Sequence, residues 1–431
     1  MTPDAARARL LALPRFADQG AAAYRPGLDR MRALLAAVGD PQRGLPVVHV
    51  AGTNGKGSTA SFAAAVLTAS GRRVGLHTSP HLADVTERVR IDGVPVGDAW
   101  LAEAVARLAL PLDAVGPSFF EATVALALLG FAEAGVDVAV VEVGLGGRLD
   151  ATNTVEPVVS VVTHVGRDHM DLLGTTLPAI ATEKAGIARP GVPLVHAVAR
   201  PTAARAIRDE ARRRGAPVEA VRTTCRVDDA GEGQIDLATP HARYDGVTLG
   251  LAGAHQAWNA ALAVRAAEHA APDLAAGAVR EGLAGVARLS GLRGRSERWA
   301  GDPRIVLDVA HNADGWDAAL AAAAPPAGGR LWTLVGVMAD KDARALARRL
   351  AASGARVLPV PLPGGRALDA DALHAALHDA GARAERPTSV ADALDRFRSE
   401  AGPLDRALVT GSFVTVAAAL NVLEPPASLR D

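Results

Sequence analysis

The chain is predicted to be an α/β protein: a doubly wound, mainly parallel sheet followed by a second, smaller α/β domain. Three observations predict this. Apolar runs at residues 45–50, 73–77, 137–143 and 158–162 read as buried strands and are separated by stretches with apolar residues at helical spacing. The polar clusters of the chain fall directly after these runs, where open α/β sheets bind ligands beyond the carboxyl ends of their strands. The same alternation restarts after a glycine-rich basic break, Leu289-Ser290-Gly291-Leu292-Arg293-Gly294-Arg295. A length of 431 residues suits two or three domains, and the break places the boundary between residues 1–292 and 293–431.

Taken in order, residues 1–44 read as polar-faced helix, with Met31, Leu34, Leu35 and Val38 as a stripe toward the sheet. The run 45–50 leads into His49-Val50-Ala51-Gly52-Thr53-Asn54-Gly55-Lys56-Gly57-Ser58, and Thr59, Phe62, Ala63, Val66 and Leu67 continue at helical spacing. The strand at 73–77 ends at Thr78-Ser79-Pro80. Residues 89–96 read as a hairpin about Asp92-Gly93, and a helix is expected over 98–108. Residues 116–121 read as a loop leading into an apolar helix that ends near Ala134. The strand at 137–143 carries Glu142 and exits into Gly144-Leu145-Gly146-Gly147-Arg148-Leu149-Asp150-Ala151-Thr152-Asn153. The strand at 158–162 exits into Thr163-His164-Val165-Gly166-Arg167-Asp168-His169. A short helix closes at Gly186. Strand, helix, strand and hairpins fill 194–250, and His255-Gln256-Ala257-Trp258-Asn259 opens a further helix. Beyond the break, strands are expected at 304–309, 331–335, 356–360 and 406–410, with helices at 314–324, 341–353, 369–380 and 390–400.

Composition excludes several classes. With 46 Lys+Arg against 47 Asp+Glu the net charge is −1, which argues against a nucleic-acid binder. A single cysteine, Cys225, excludes an internal disulfide framework and a cysteine-based zinc site, and fits a reducing cytoplasm. Residues 10–13 are too short for a secretory apolar core, and no uncharged apolar run is long enough to span a membrane. The expectation is a cytoplasmic protein without a membrane or nucleic-acid partner.

Strand, glycine-rich turn and helix is the arrangement that cradles phosphates. Glycines admit close approach, backbone N–H groups and the helix N-terminus supply partial positive charge, and Lys56 supplies a full one. The general pattern G-x-x-x-x-G-K-[ST] departs here at Val50 and Gly57. A carboxylate inside a valine run needs a partner, so Glu142 is either a metal ligand or a core ion pair, with Arg148 as one candidate partner. Ser79 could add a hydroxyl ligand, and His169 reads either as a loop hydrogen-bonder or as a ligand beside oxygen donors. Lys184 reads as a last-turn lysine exposed near a helix C-terminus.

The phosphate loop, Ser79-Pro80-His81-Leu82, Phe119-Phe120-Glu121, the run from Glu142 to Asn153, Asp168-His169, Glu183-Lys184, His255-Gln256 with Asn259, and Asp308 with His311-Asn312 together resemble the folylpolyglutamate synthase/dihydrofolate synthase family of the Mur ligase superfamily. The glycine after the lysine resembles its folate branch. The resemblance implies a P-loop domain that binds ATP and pterin over 1–292 and a smaller Rossmann-like glutamate-ligase domain over 293–431. It implies that ATP converts a carboxylate of dihydropteroate or of a reduced folate into an acyl phosphate, which the amino group of L-glutamate then attacks. Carried over by motif, Asn54, Gly55, Lys56, Gly57 and Ser58 contact phosphates, and Asn259, Arg295 and Asp308 contact the nucleotide. Ser79, Glu142 and His169 are metal ligands, and Phe119, Phe120, Glu121, Leu149, Asp150 and Ala151 form pterin-pocket segments. The family's lysine at the position of Lys184 is carbamylated, so Lys184 is expected to become an anionic ligand. Lys56, Lys184 and His169 are the expected catalytic groups. Two Mg²⁺ ions, a monovalent cation and a monomeric state are also implied. His311 and Asn312 point to a role after a strand end without defining it. Asp340-Lys341-Asp342 reads equally as a helix cap.

Two other readings stand beside this one. A cell-wall Mur ligase with a nucleotide-sugar substrate is opposed by the folate-type loop and Phe119-Phe120-Glu121. A non-catalytic nucleotide-binding regulator would have no use for Glu142, His169 and Lys184, all of which are present.

Overall fold

In the computed structural model, which describes residues 1–15, 25–231 and 233–425, the valine-rich runs form the middle of an eight-stranded sheet. β1 (Val47–Ala51) lies between β5 (Val138–Glu142) and β6 (Pro157–Val162), parallel to both. β2 (Val74–His77) continues the parallel set beyond β5, and β7 (Leu194–His196) and β8 (Val218–Ala220) continue it beyond β6. The hairpin of β3 (Arg90–Ile91) and β4 (Val94–Pro95) adds an antiparallel edge. Its turn needs positive φ at two residues, met by Asp92 at 51° and Gly93 at 80°. Because the chain leaves β1 toward β2 and leaves the adjacent β6 in the opposite direction toward β7, the crevice at their carboxyl ends is where such a sheet offers a ligand site.

The helix after β1, Lys56–Ala69, is buried on every face from Gly57 to Leu67. The sheet covers one side, and the helices His255–Ala270 and Ala276–Ala284 cover the other. Gly282 makes this possible, since a Cβ there would lie 2.4 Å from the Val66 Cα. Helix Asp98–Val115 runs past its expected end and through Pro111. Its apolar face continues from Leu108 to Leu112, and that burial outweighs one missing backbone hydrogen bond. Helix Phe119–Ala134 begins inside the expected loop. Ser118 and Glu121 form a reciprocal capping box that starts it. Of the expected N-terminal helix, Pro3–Leu11 and Asp29–Ala36 are present, and residues 16–24 lie outside the described residues. A three-stranded antiparallel sheet follows, β9 (Arg226–Gly231), β10 (Gln234–Ala238) and β11 (Arg243–Thr248).

The chain divides into two compact units, Met1–Gly250 with His255–Leu292, and Leu251–Ala254 with Arg293–Asp431. The second holds a six-stranded sheet in the order β12-β13-β17-β14-β15-β16. Its members are β12 (Glu297–Arg298), β13 (Ile305–Leu307), β14 (Leu331–Val335), β15 (Arg356–Pro359), β16 (Arg383–Ala384) and β17 (Arg406–Thr410), all parallel except β12. The short β12 and β16 and the final helix Phe413–Leu423 lie outside the expected elements. The core of this unit gathers Trp316, Leu346, Leu350, Val357, Leu373 and Leu377. Among the described residues no helix is long and apolar enough to cross a membrane.

Candidate active site

The turn after β1 is held open from behind. Thr53 N donates to His164 O at 2.7 Å, and Thr163 Oγ1 donates to Asn54 O at 2.7 Å. The loop that follows β6 therefore shapes the loop that follows β1. Gly55 turns the chain into the helix with φ 81°, and a Cβ there would meet Asn259 Oδ1 at 2.6 Å. Asn259 donates its Nδ2–H to Gln256 Oε1 at 2.9 Å, and Gln256 Nε2 lies 3.5 Å from Ser58 Oγ. Asn54 to Ser58 and Asn259 are thus brought together. Lys56 Nζ donates to Thr53 O at 3.2 Å and is only half-buried.

One strand away, Ser79 N donates to Glu142 Oε2 at 2.9 Å, so the hydroxyl-bearing residue and the carboxylate sit side by side at the ends of β2 and β5. Glu142 is 3% exposed. Arg148 is engaged by Glu183 at 2.8 Å. A charge that Glu142 acts on is Arg88, itself buried, whose pKa burial lowers to about 10 while Glu142 opposes the fall. Arg88 donates Nε–H to His81 Nδ1 at 2.8 Å. Burial, with Arg88 adding, pulls His81 down to about 4, so it stays neutral as the Nε2–H tautomer. Arg88 carried no sequence signal beyond its place in a charged stretch.

Lys184 overturns the reading of an exposed last-turn lysine. It is 3% exposed, and Nζ donates to Gly52 O at 2.9 Å, inside the phosphate loop. Burial lowers its pKa to about 7, and Lys56 pushes the same way, while Asp168 and Asp150 oppose. Its helix, Leu177–Ala185, ends at Gly186. That glycine has right-handed backbone angles and is required for space, since a Cβ would lie 2.4 Å from the Arg148 Cβ. His169 adopts φ 50° beside Asp168, whose Oδ1 accepts from His169 N at 3.1 Å. Among the described residues no three His, Cys, Asp or Glu side chains gather into a metal cluster. A cation at Ser79 and Glu142 would need further oxygen donors, as hard divalent ions commonly take from water and phosphate.

Phe119 packs under Arg88 at 4.9 Å and edge-on to His81 at 6.2 Å. Phe120 leans on Gly144, where a Cβ would approach its Cζ to 2.5 Å. The Glu121 carboxylate accepts from Ser118 N and Oγ, both at 2.8 Å, and pairs with Arg30 at 3.2 Å. Its visible work is to cap a helix. Asp150 is buried, and its Oδ2 accepts from Leu145 N at 2.9 Å. Burial raises its pKa, opposed by hydrogen bonds from Thr152, Leu145 and Gly144. Leu149 is half-buried and Ala151 buried on either side of it.

In the second unit Asp308 follows β13, accepting from Ser296 N at 2.8 Å and from Ala310 N at 2.9 Å. Arg295 lies over the Phe413 ring at 5.0 Å, and the His311 ring is 6.0 Å from the same ring. Asn312 caps helix Ala313–Ala322, and Asp342 caps Ala343–Ser353. Gln256, Thr163 and His49 also bear on the site through their contacts. Position after a strand end marked Thr163, and the helix-opening His255-Gln256 motif marked Gln256.

This geometry agrees with what the chain is similar to. Residues 50–267 match the Mur ligase middle domain and 294–413 the Mur ligase, glutamate ligase domain. The dihydrofolate synthase/folylpolyglutamate synthase of Bacillus subtilis is 39% identical over 303 residues, covering 68% of this chain and 70% of that protein. E. coli FolC, solved in complex with DHPP and ADP, is 31% identical with a TM-score of 0.88 over 98% of both chains. A bifunctional folylpolyglutamate synthase/dihydrofolate synthase solved with Mn, AMPPNP and L-glutamate bound is 29% identical, with a TM-score of 0.84 over 98% of both chains. The chain belongs to the folylpolyglutamate synthase/dihydrofolate synthase family of the Mur ligase superfamily.

Proposed function

We propose that the chain is an ATP-dependent, ADP-forming ligase that joins L-glutamate to folate-type acids. One observation carries the reading. At the carboxyl ends of adjacent parallel strands, a phosphate-type loop with Lys56 lies beside the Ser79–Glu142 pair and a buried Lys184 bonded to the loop itself. A carboxylate is a poor electrophile. Transfer of the terminal phosphoryl group of ATP to a carboxylate oxygen makes an acyl phosphate and releases ADP. The glutamate nitrogen attacks the acyl carbon and loses a proton, and inorganic phosphate leaves as the amide forms. The meeting anions must be neutralised along the way.

Asn54 to Ser58 hold the phosphates through backbone N–H groups, and Lys56 follows the outer phosphate. Asn259 faces the nucleotide from beside Gly55, and Arg295 and Asp308 are further nucleotide-contact residues. Ser79, Glu142 and His169 hold Mg²⁺, which when bound neutralises phosphate charge. The donor set suits a hard cation, because Ser79 and Glu142 are neighbours and each carries an oxygen donor. We further propose two such ions and a monovalent cation. A buried lysine whose pKa is lowered to about 7 holds a large neutral fraction near that pH, and the neutral amine can add CO₂ to its nitrogen and lose a proton. As a carbamate, Lys184 would offer anionic oxygens able to hold the second ion. Phe119, Phe120 and the 149–151 segment line the pteridine pocket, with Glu121 fixing the start of the helix that carries both rings. The first domain, 1–292, binds ATP and the pteridine acid, and 293–431 takes L-glutamate, which the match of 294–413 to a glutamate ligase domain supports. We further propose that the enzyme acts as a monomer.

The acid is dihydropteroate, a reduced folate, or both. The test supplies each separately with ATP, Mg²⁺ and L-glutamate, and follows phosphate release and product mass. Release with both acids is expected. Release with only one removes the bifunctional claim, and ADP formation that needs neither acid nor glutamate sinks the ligase reading.

A further inference from the structure

His49 enters none of these steps. It lies in β1, ahead of Gly52, and is fully buried. Its Nε2 is 2.9 Å from Thr152 Oγ1, and Thr152 Oγ1 is 2.5 Å from Asp150 Oδ1. A hydroxyl has one hydrogen, and an ionised carboxylate only accepts. The Thr152 hydroxyl therefore donates to Asp150 and accepts from His49, which sets the imidazole as the Nε2–H tautomer. Burial, with the charge of Arg189, keeps that imidazole neutral by drawing its pKa to about 3. Asp150 Oδ1 also accepts from Thr152 N at 3.0 Å, and Oδ2 from Leu145 N at 2.9 Å. The charge of Asp150 acts on Lys184, which donates to Gly52 O. Hydrogen bonds run from β1 at His49 through Thr152 to Asp150, and the charge of Asp150 reaches Lys184, which is itself bonded to the same strand's exit at Gly52.

From this hydrogen-bond chain we propose that His49 is a positioning residue for Asp150: acting through Thr152, it orients the carboxylate that shapes the loop after β5, and so sets affinity for the pteridine acid. The proposal rests on the ligase reading. It is tested with Thr152→Val, Thr152→Ser, His49→Leu and the double variant Thr152→Val/His49→Leu. KM values for the pteridine acid and for ATP are measured alongside melting temperature and ADP affinity. Thr152→Val and His49→Leu are expected to raise KM for the acid about tenfold, the scale of one hydrogen bond. KM for ATP should stay within about twofold. Thr152→Ser should keep the wild-type value, and the double variant should lose no more than the worse single one, because both cut one chain. Equal rises in both KM values, an unchanged KM for the acid, additive losses, or a Thr152→Ser defect as large as that of Thr152→Val would overturn it. So would loss of ADP binding together with the fold in Thr152→Val, which would make the contact merely structural. If the wild type shows no turnover, the ligase reading fails separately. The hydrogen-bond chain is then read by ¹⁵N NMR of His49. A protonated Nε2 that shifts in Thr152→Val supports the contact, and a protonated Nδ1 overturns it.

Discussion

Gly55→Ala places a methyl group where the loop has neither the angle nor the space for it. The residue has φ 81°, and a left-handed conformation costs an L-residue about 1–2 kcal/mol. The added Cβ would also lie 2.6 Å from Asn259 Oδ1 and 3.2 Å from its Cγ. Asn259 must swing away and give up its 2.9 Å hydrogen bond to Gln256, at a cost of about 1 kcal/mol. The two effects sum to about 2–3 kcal/mol. The loop is half-buried and can relax, so most of the loss should appear in nucleotide binding, with a Kd for ADP about 30-fold or more above wild type. Isothermal titration with ADP and a thermal melt give the two shares. Gly55→Ala/Asn259→Ser removes the close contact but keeps the backbone strain, so it should melt higher than Gly55→Ala. A Gly55→Ala protein with ADP affinity within twofold of wild type and an unchanged melt would refute the reasoning.

Three further outcomes follow from the same site and its frame. Lys184 is depressed to about 7 by burial, so between about pH 7 and the usual lysine range the unfolded chain holds a proton that the folded one does not. Stability should therefore rise with pH across that window in CO₂-free buffer and lie flat below it, and Lys184→Met should abolish the slope; an unaltered slope in chemical denaturation would contradict the assignment. Glu142→Gln keeps an oxygen for Ser79 N but removes the charge, so the melt should hold while kcat/KM falls at least about a hundredfold and the Mg²⁺ requirement rises; a metal titration like that of wild type would refute its role. Arg265 is buried between Glu219, at 2.7 and 2.8 Å, and Glu268, which also accepts from Tyr244 at 2.9 Å. Arg265→Leu strands both carboxylates and should destabilise by about 3–5 kcal/mol, read by denaturant unfolding; a loss below about 1 kcal/mol would mean the pair is solvated.

Much of this protein is legible without coordinates because its signals are local. The valine run ending at Glu142, the glycine-rich turn from Gly52 to Gly57 and the Asp92-Gly93 hairpin each state their own backbone geometry within a few residues. The capping pattern of Ser118 and Glu121 was equally local, yet Gly116-Pro117 made the stretch read as loop and hid the helix start. The helix expected over 98–108 was likewise read too short, since a continuing apolar face carries it through Pro111. What local pattern does not carry is which side chains meet. Lys184 has the spacing of an exposed last-turn lysine, and only the packing of its helix beside the loop after β1 buries it and lowers its affinity for a proton. Glu142 was marked as costly by its valine neighbours, but that its carboxylate faces Ser79 depends on β2 and β5 lying side by side. The sequence by itself determined the two α/β domains, the phosphate-type loop and the family, because backbone periodicity and turn chemistry are properties of short segments. The tertiary structure alone decided burial, charge state and the hydrogen-bond chain from His49 to Asp150, because those arise where strands far apart in the chain end at one place, out of water.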